Sequence, residues 1–228
     1  MKNLILIISL SLISVFSYAQ FEGEIKYSIQ ITGDKQIEEQ KAFLPTHYRM
    51  IFKQGNSKFI QEGGMMAAMM GDIINMNDGK TYFVNHMMKT VNSFTPESMN
   101  TGSIEKPTIV KEKETVTILG YKCQKYKIIT NPGKKEETAM FIWASKDLKP
   151  ASQKSSKFGA GQYSFEGVDG MALKMELNMS GQGINMQMIM TAVNVSTTAP
   201  ADAEFELPSD YEKQEGLPEM LKMMQGNK

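Results

Sequence analysis

The stretch from Met171 to Ala192 constrains the fold of this chain most strongly, because apolar and polar residues alternate through nearly all of it. A β-strand points successive side chains to opposite faces, so the pattern predicts two strands that each have one apolar face. The polar sequence Ser180-Gly181-Gln182-Gly183 separates the two strands. Gly181-Gln182 fits a two-residue loop, since glycine readily adopts the positive φ that such turns need. The sequence therefore predicts a β-hairpin.

A turn at Gly181-Gln182 also predicts the register of this hairpin. Met179 then lies opposite Ile184 beside the turn, and Met171 lies opposite Ala192 at the far end. All five apolar pairs fall on one face, because side-chain direction has a period of two, and the other face is mostly polar. We call the large apolar residues of this face the stripe: Met171, Leu173, Met175, Leu177, Met179, Ile184, Met186, Met188 and Met190.

The stripe must be covered by something other than water. Burying each large apolar side chain contributes ~1.5–3 kcal/mol, so an exposed stripe would forgo on the order of 15 kcal/mol. A fixed core usually prefers Leu, Ile and Val, whereas thioethers line adaptable hydrophobic sites or bind soft metal ions. Three interpretations therefore stay open: an ordinary core, the wall of an apolar ligand groove, and a Cu(I) site to which His86-Met87-Met88 adds ligands.

The rest of the chain also has the sequence pattern of short strands and polar turns. Residues 21–31 alternate cleanly, and turn signals follow at Gly33-Asp34, Asn77-Asp78-Gly79 and Asn131-Pro132-Gly133. This pattern is typical of a mainly β, antiparallel fold. Further strands are expected at residues 37–43, 48–53, 58–61, 72–76, 80–85, 88–94, 107–113, 115–119, 121–130 and 138–144.

Three segments depart from the strand pattern. Residues 63–71 place methionines four apart between glycines, which indicates a short helix or an apolar flap. Residues 149–161 are rich in Ser, Lys and Gly and are interpreted as a loop or lid. Pro218 can begin a C-terminal helix that places Leu217, Met220, Leu221 and Met224 on one side.

The first residues have the features of a secretory signal peptide. Lys2 supplies the positive charge, Leu4–Phe16 form an apolar run, and Ser17-Tyr18-Ala19 offers small residues for cleavage after Ala19. We therefore expect residues 1–19 to be removed and residues 20–228 to form one antiparallel β domain without a transmembrane segment. The predicted location is the periplasm or the cell exterior, with the signal peptide cleaved near Ala19.

Charge and chemistry exclude several function classes. The chain carries 25 basic and 25 acidic residues, and Arg49 is its only arginine, so nothing favours nucleic acid as a partner. The two histidines, His47 and His86, lie in no nucleophile or zinc motif, and Cys123 is the only cysteine. Cys123 is interpreted as a small buried residue. The sequence predicts a protein that is not an enzyme, with no cofactor and no catalytic or metal-binding residues.

Several segments, taken in order, resemble a known family. They are Phe21-Glu22-Gly23-Glu24-Ile25-Lys26-Tyr27, Asn77-Asp78-Gly79-Lys80-Thr81-Tyr82, Ile118-Leu119-Gly120-Tyr121-Lys122-Cys123-Gln124-Lys125-Tyr126, Met140-Phe141-Ile142-Trp143-Ala144-Ser145-Lys146-Asp147-Leu148 and Phe205-Glu206-Leu207-Pro208-Ser209-Asp210-Tyr211. Through them the chain resembles a family of secreted Gram-negative bacterial proteins, domain of unknown function 4412. The resemblance implies a fold like that of the periplasmic lipoprotein carriers (LolA-like), an unclosed barrel whose apolar cavity takes acyl chains. It implies no catalytic residues.

Together these observations predict a curved antiparallel sheet, or unclosed half-barrel, with one or two short helices covering its concave side. The leading functional hypothesis is a non-catalytic cell-envelope protein that binds a lipid, acyl chain or lipoprotein in a groove lined by the stripe. One alternative is an envelope interaction or scaffold protein with a filled core. A third is a Cu(I)-binding module.

Overall fold

The computed structural model of the chain describes residues 20–95, 106–130, 138–151, 167–181, 184–219 and 222. Its twelve strands form one sheet in the order β12-β6-β5-β4-β3-β2-β1-β11-β10-β9-β8-β7. The strands are β1 Gly23–Gly33, β2 His47–Lys53, β3 Asn56–Glu62, β4 Asp72–Asn75, β5 Thr81–Asn85, β6 Thr90–Phe94, β7 Thr108–Ile118, β8 Tyr121–Thr130, β9 Thr138–Ser145, β10 Met171–Gly181, β11 Ile184–Ser196 and β12 Glu212–Glu215. The helices are α1 Lys35–Gln40 and α2 Gly64–Met70, with 3-10 turns at Lys41–Phe43 and Asp202–Phe205.

The sheet consists of two meanders that meet at β1. One runs outward from β1 through β2 to β6, and the other returns from β7 through β11, which pairs with β1. β12 and β7 are the edge strands, so the described sheet is not closed. The prediction of a mainly β, unclosed half-barrel is confirmed. One pair departs from the antiparallel pattern, because β12, which the sequence did not predict, runs parallel to β6.

Two apolar clusters occupy the two faces of the sheet. The larger lies on the face that we call inner, and its central side chains on β1, Ile25 and Tyr27, are 0% exposed. The smaller lies on the outer face of β2–β6, where Phe205 covers Ile51 and Ile74 together with neighbouring apolar residues. The C-terminal segment therefore packs across the outer face, and the inner face carries the main core.

The expectation of a strand at residues 37–43 is wrong, since α1 and a 3-10 turn occupy this segment. Lys, Gln and Glu in α1 have good helix propensity. Asp34 caps α1, because its Oδ1 accepts a hydrogen bond from the backbone N–H of Ile37 at 3.2 Å. The sequence at Gly33-Asp34 indicated only a turn, and this capping role was not predicted.

The helical interpretation of residues 63–71 is confirmed. Gly63 and Gly71 bound α2 with φ angles of 77° and 64°, which favour glycine. In contrast, the separate strands expected at 107–113 and 115–119 are one strand, β7, whose register with β8 shifts between Lys111 and Thr115.

Some predicted segments lie wholly or partly outside the described residues. They are the signal peptide 1–19, the turn at 131–133, most of the loop 149–161, and Met220, Leu221 and Met224 of the C-terminal helix. At Pro218 the carbonyl accepts a hydrogen bond from the N–H of Lys222 at 3.1 Å. In the described part of the chain no helix is both long and apolar enough to cross a membrane.

Candidate functional site

The hairpin between residues 171 and 196 forms, but its predicted register is wrong by two residues. Met179 lies opposite Met186, and Gly181, which was expected in the turn, pairs with Ile184 at the end of β10. Gln182 and Gly183 lie outside the described residues. A shift of two leaves every paired side chain on its predicted face, because the side-chain period is two. The apolar pattern therefore indicates correctly which face each residue takes. It does not distinguish between registers that differ by an even number of residues.

The strict alternation also ends before Met171. The register between β9 and β10 shifts between Ala172 and Lys174, and Met171 lies opposite Ser145. Such a bulge changes which residues share a face. Ala172, expected on the polar face, is only 2% exposed. At this end of the stripe, residues expected on the polar face are therefore buried as well as those expected on the apolar face.

Burial changes along the stripe. Met171, Leu173, Met175 and Met190 are at most 2% exposed and belong to the main core. Leu177, Met186 and Met188 are half-buried, and Met179 is 41% exposed. Ile184 begins β11, but its side chain is not among the described ones. One half of the predicted site is filled core, and the other half meets solvent.

The exposed half lies at the end of the sheet where β1 ends at Gly33 and β10 ends at Gly181, which we call the methionine end. The pairings bring three other features to this end: the 41–46 segment, α2 after β3, and the 86–89 turn after β5. Seven large apolar side chains here are more than 40% exposed. They are Phe43, Met65, Met66, Met69, Met87, Met88 and Met179.

A groove opens at the methionine end because β1 is longer than its neighbour. The β1–β2 register ends at Ser28, and Ile29 N–H donates to the carbonyl of Thr46 at 2.8 Å. Beyond that point a groove of about 370 Å³ separates β1 from the 41–46 segment. Its lining is Ile29, Gln30, Ile31, Thr32, Lys41, Leu44, Pro45 and Thr46.

The groove adjoins the stripe through β1. Ile29 lies opposite Met190 and Ile31 lies opposite Met188, so these isoleucines share a face with the stripe. None of the groove residues was in the predicted site. The alternation of residues 21–31 contained the signal for Ile29 and Ile31, whereas the 41–46 side of the groove depends on where β2 begins.

Asp34 fixes the helical wall beside the hairpin. In addition to capping α1, its Oδ2 accepts a hydrogen bond from Asn185 N–H at 3.2 Å, and its own N–H donates to the carbonyl of Asn185 at 3.1 Å. Asp34 thus links α1 to Asn185, the second residue of β11. The methionine end is consequently built from segments that are linked by hydrogen bonds.

The titratable groups form structural contacts. His86 Nε2 is 3.1 Å from Asp72 Oδ2, and its Nδ1 is 3.1 Å from Tyr211 Oη, which ties the C-terminal segment to β4. Lys58 Nζ is 3.2 Å from the same Asp72 oxygen. His86 therefore contacts the outer-face network rather than the stripe. Across the described residues, no three or more His, Cys, Asp or Glu side chains are grouped to hold a metal ion.

Cys123 is fully buried in β8, as interpreted from the sequence. Burial raises the pKa of its thiol to about 11. The group stays protonated at neutral pH, and a protonated thiol is a poor nucleophile and metal ligand.

Comparisons with solved structures give matches that cover most of this chain at TM-scores below 0.5. PNGF-II is 15% identical with a TM-score of 0.49, and its match covers 90% of this chain and 32% of that chain, so this chain spans about a third of it. A LolA superfamily protein from Nitrosomonas europaea is 9% identical with a TM-score of 0.36, covering 83% of this chain and 91% of that one. A putative outer membrane lipoprotein-sorting protein domain from Vibrio parahaemolyticus is 9% identical with a TM-score of 0.32, covering 81% and 89%.

No curated protein matches the chain. A family model does match it, over residues 21–211, which is most of the chain. That range runs from the first residue of the resembling segments to the last, and it contains the whole sheet except β12. The chain therefore belongs to the DUF4412 family, whose description is a domain of unknown function.

Proposed function

We propose that the protein is a non-catalytic cell-envelope protein that binds a hydrophobic ligand, such as a lipid, an acyl chain or a lipid-bearing protein, at the methionine end. The observation that carries the proposal is the graded burial of the stripe. Met175 and Met190 are filled core, whereas the continuation through Leu177, Met188 and Met179 leaves apolar surface in contact with solvent beside a groove.

Exposed apolar surface of this kind is unfavourable in water unless a ligand or partner covers it. Each Å² that a ligand removes from water contributes about 25 cal/mol, so covering the exposed part of several methionines is worth several kcal/mol. Large apolar side chains clustered on a surface are typical of binding sites. The groove volume of about 370 Å³ lies in the range of roughly 300–1,000 Å³ that is common for ligand pockets.

The residues around the groove suit an apolar ligand of variable shape. Ile31, Leu44 and Pro45 supply branched or rigid walls. The adjoining Met186 and Met188 are unbranched, and their thioethers adapt to different occupants. Lys41 and Gln30 at the same groove offer polar contacts for a headgroup. The proposed site therefore consists of the exposed half of the stripe together with the residues that line the groove.

The envelope location is part of the proposal. It is supported by the predicted signal peptide at residues 1–19. We also propose residues 20–228 as the mature domain.

One observation favours a second function, that of an interaction or scaffold protein with a filled core. Met171, Leu173, Met175 and Met190 are closely packed and at most 2% exposed, so this part of the stripe leaves no room for a ligand. In that case the exposed methionines contact a protein partner rather than a small apolar molecule.

The test is native mass spectrometry of gently purified mature protein, together with titration of a fluorescent fatty acid. We expect an apolar molecule to co-purify and the fatty acid to bind. Ile31→Glu, in the groove, should weaken fatty-acid binding at least tenfold. Leu44→Gln, on the opposite wall, should also weaken it.

Val193→Glu is the matched control, since Val193 is 47% exposed on β11 and does not line the groove. It should leave binding unchanged. Absence of both a co-purified apolar species and fatty-acid binding would contradict the ligand proposal. A protein captured by cross-linking at the methionine end would then favour the scaffold function.

A further inference from the structure

Helix α2 presents three methionine thioethers on one surface. Ala67 is buried and Met70 packs against the main core, so these two residues mark the inward side of α2. Met65, Met66 and Met69 are 60%, 42% and 44% exposed. At about 100° per residue these three positions span only about 100° of the helix. Neighbours at i,i+3 and i,i+4 have Cβ atoms ~5–6 Å apart, so flexible thioethers there can converge on one ion.

The fold brings two more methionines to the same place. Asn85 Nδ2 donates to the carbonyl of Met69 at 3.0 Å, and its Oδ1 accepts from the N–H of Met88 at 2.8 Å. Gly71 allows this approach, because a Cβ at Gly71 would lie 2.2 Å from the carbonyl oxygen of Val84. α2 therefore ends directly against β5 and the 86–89 turn. Met87 and Met88 in that turn are 63% and 68% exposed.

We propose that Met65, Met66 and Met69 form a Cu(I) site on α2, with a thioether of the 86–89 turn available as a fourth ligand. Thioethers are soft ligands, and soft ligands select Cu(I) over harder ions. They are neutral at every pH, so the site needs no deprotonation and no nearby negative charge. Of the six large apolar side chains around α2 that are described and more than 40% exposed, five are methionines, and the sixth is Phe43 on the adjacent 3-10 turn.

This site replaces the copper ligands that the sequence suggested. Met190 is 1% exposed in the main core, so an ion reaches its sulfur only by opening the fold. His86 bonds with Asp72 and Tyr211 rather than with the stripe. Met87 and Met88 were part of the sequence-based copper hypothesis, and they lie beside α2.

The first experiment is a competition for Cu(I) between the reduced protein and bicinchoninate under anaerobic conditions. Wild-type protein should withdraw one equivalent of Cu(I). The triple variant Met65→Leu/Met66→Leu/Met69→Leu keeps the apolar volume and removes the sulfurs. We expect it to bind at least tenfold more weakly and to keep the circular dichroism spectrum of the wild type.

Two controls locate the site. Met179→Leu/Met186→Leu/Met188→Leu removes three thioethers from the stripe at the same end of the sheet, and it should bind copper like the wild type. Cys123→Ala removes the only thiol and should do the same. Failure of the wild type to compete, unchanged binding by the α2 variant, or loss of binding in either control would overturn the proposal.

A second measurement does not depend on any variant binding copper. Ag(I) is a redox-inert analogue of Cu(I), and methionine ε-methyl groups labelled with ¹³C report on it by NMR. The methyl signals of Met65, Met66 and Met69, assigned with single Met→Leu variants, should shift at one equivalent of Ag(I). Those of Met175 and Met190 should stay. The opposite pattern would place the ion in the stripe and overturn the assignment to α2.

Discussion

The two ends of the β10–β11 hairpin have the same sequence pattern and different surroundings. Met175 and Met190 lie opposite one another, and each has a further partner, Ile142 on β9 and Ile29 on β1. They are 2% and 1% exposed. Four strands therefore place apolar side chains in one row, and the row is closed to water.

The row next to the turn, which we call the open row and which contains Met179 and Met186, lacks those partners on β9 and β1. The β9–β10 register ends at Leu177 opposite Met140, so Met179 has no β9 partner. Met186 lies opposite Gly33, which has no side chain. Met179 is 41% exposed as a result. The comparison shows that alternation determines which face a residue takes, whereas the neighbouring strands determine how deeply it is buried.

The sharpest test of this difference uses a charge at two positions of one strand face. Met190→Lys places an ammonium in the closed row, where keeping the lysine neutral at pH 7 costs about 5 kcal/mol. Met188→Lys, two residues nearer the turn, can extend its ammonium to solvent and should cost about 1 kcal/mol. Soluble yield, circular dichroism and urea unfolding compare the two variants.

Because a typical domain is stable by only about 5–15 kcal/mol, Met190→Lys is expected to be partly or wholly unfolded. Met188→Lys should remain folded with a slightly lower urea midpoint. Equal stability of the two variants would show that positions 190 and 188 do not differ in depth.

Truncating a methionine to alanine in each row tests the same difference in burial without introducing a charge. Met175→Ala should lower the free energy of unfolding by about 2–5 kcal/mol, because it removes buried methylene groups and leaves a cavity. Met179→Ala should change it by less than about 0.5 kcal/mol, since the side chain already contacts water. Urea unfolding with a shared m-value measures both. A loss at Met179 as large as that at Met175 would mean that residue 179 is covered in solution.

Much of the fold could be predicted from local patterns. The period-two alternation of β1, β10 and β11, together with turn residues such as Asn77-Asp78-Gly79, was enough to indicate a mainly β antiparallel sheet. That the sheet is an unclosed half-barrel was implied by the family resemblance. Among the features that were missed, three have clear local causes. Asp34 caps α1 where a strand was expected. The hairpin register differs by two residues because the turn was placed one residue too early. The short strand β12 is polar and has no apolar alternation to detect.

The candidate site was less predictable, because its borders are set by where strands stop. Nothing in the residues of the stripe separates Met175 from Met179. Their difference arises from where the β9–β10 register ends and from the position of Gly33 on β1, both distant in sequence. The groove likewise depends on Ile31 lying beside the 41–46 segment, which comes before β2 begins. The methionines of α2 and of the 86–89 turn were visible in the sequence, but their junction depends on Asn85.

Mild oxidation tests the same difference in exposure without any mutation. Peroxide converts accessible methionine to the sulfoxide, and the rate follows exposure. Among the methionines of the stripe, in folded protein treated with dilute hydrogen peroxide, Met179 should be oxidised first, Met188 more slowly, and Met175 and Met190 last. Peptide mapping by mass spectrometry gives the order. Early oxidation of Met190 would show that the closed row opens readily, and the same treatment in urea should remove the differences between sites.

The smallest expected effect compares two carboxylates, one near each end of β1. Glu24 accepts hydrogen bonds from Arg49 Nε at 2.9 Å and Nη2 at 2.7 Å, and these hold the pKa of Glu24 below its ordinary value despite partial desolvation. Glu38 at the methionine end is paired with Lys41 at 2.6 Å, and this hydrogen bond lowers the pKa of Glu38. The Arg49 pair is bidentate and its side chains are 27% and 29% exposed, whereas the Lys41 pair is more open at 44% and 45%.

Glu24→Gln should therefore destabilise the protein at pH 7 by about 1 kcal/mol or less after solvent screening, and Glu38→Gln should have a smaller effect. A lowered pKa in the folded state stabilises the protein above the unfolded-state value and loses that contribution as the pH falls through the folded-state value. The difference in urea midpoint between wild type and Glu24→Gln should accordingly shrink as the pH falls from about 4.5 towards 3. A difference that persists at pH 3 would mean that Glu24 acts through packing rather than through its charge.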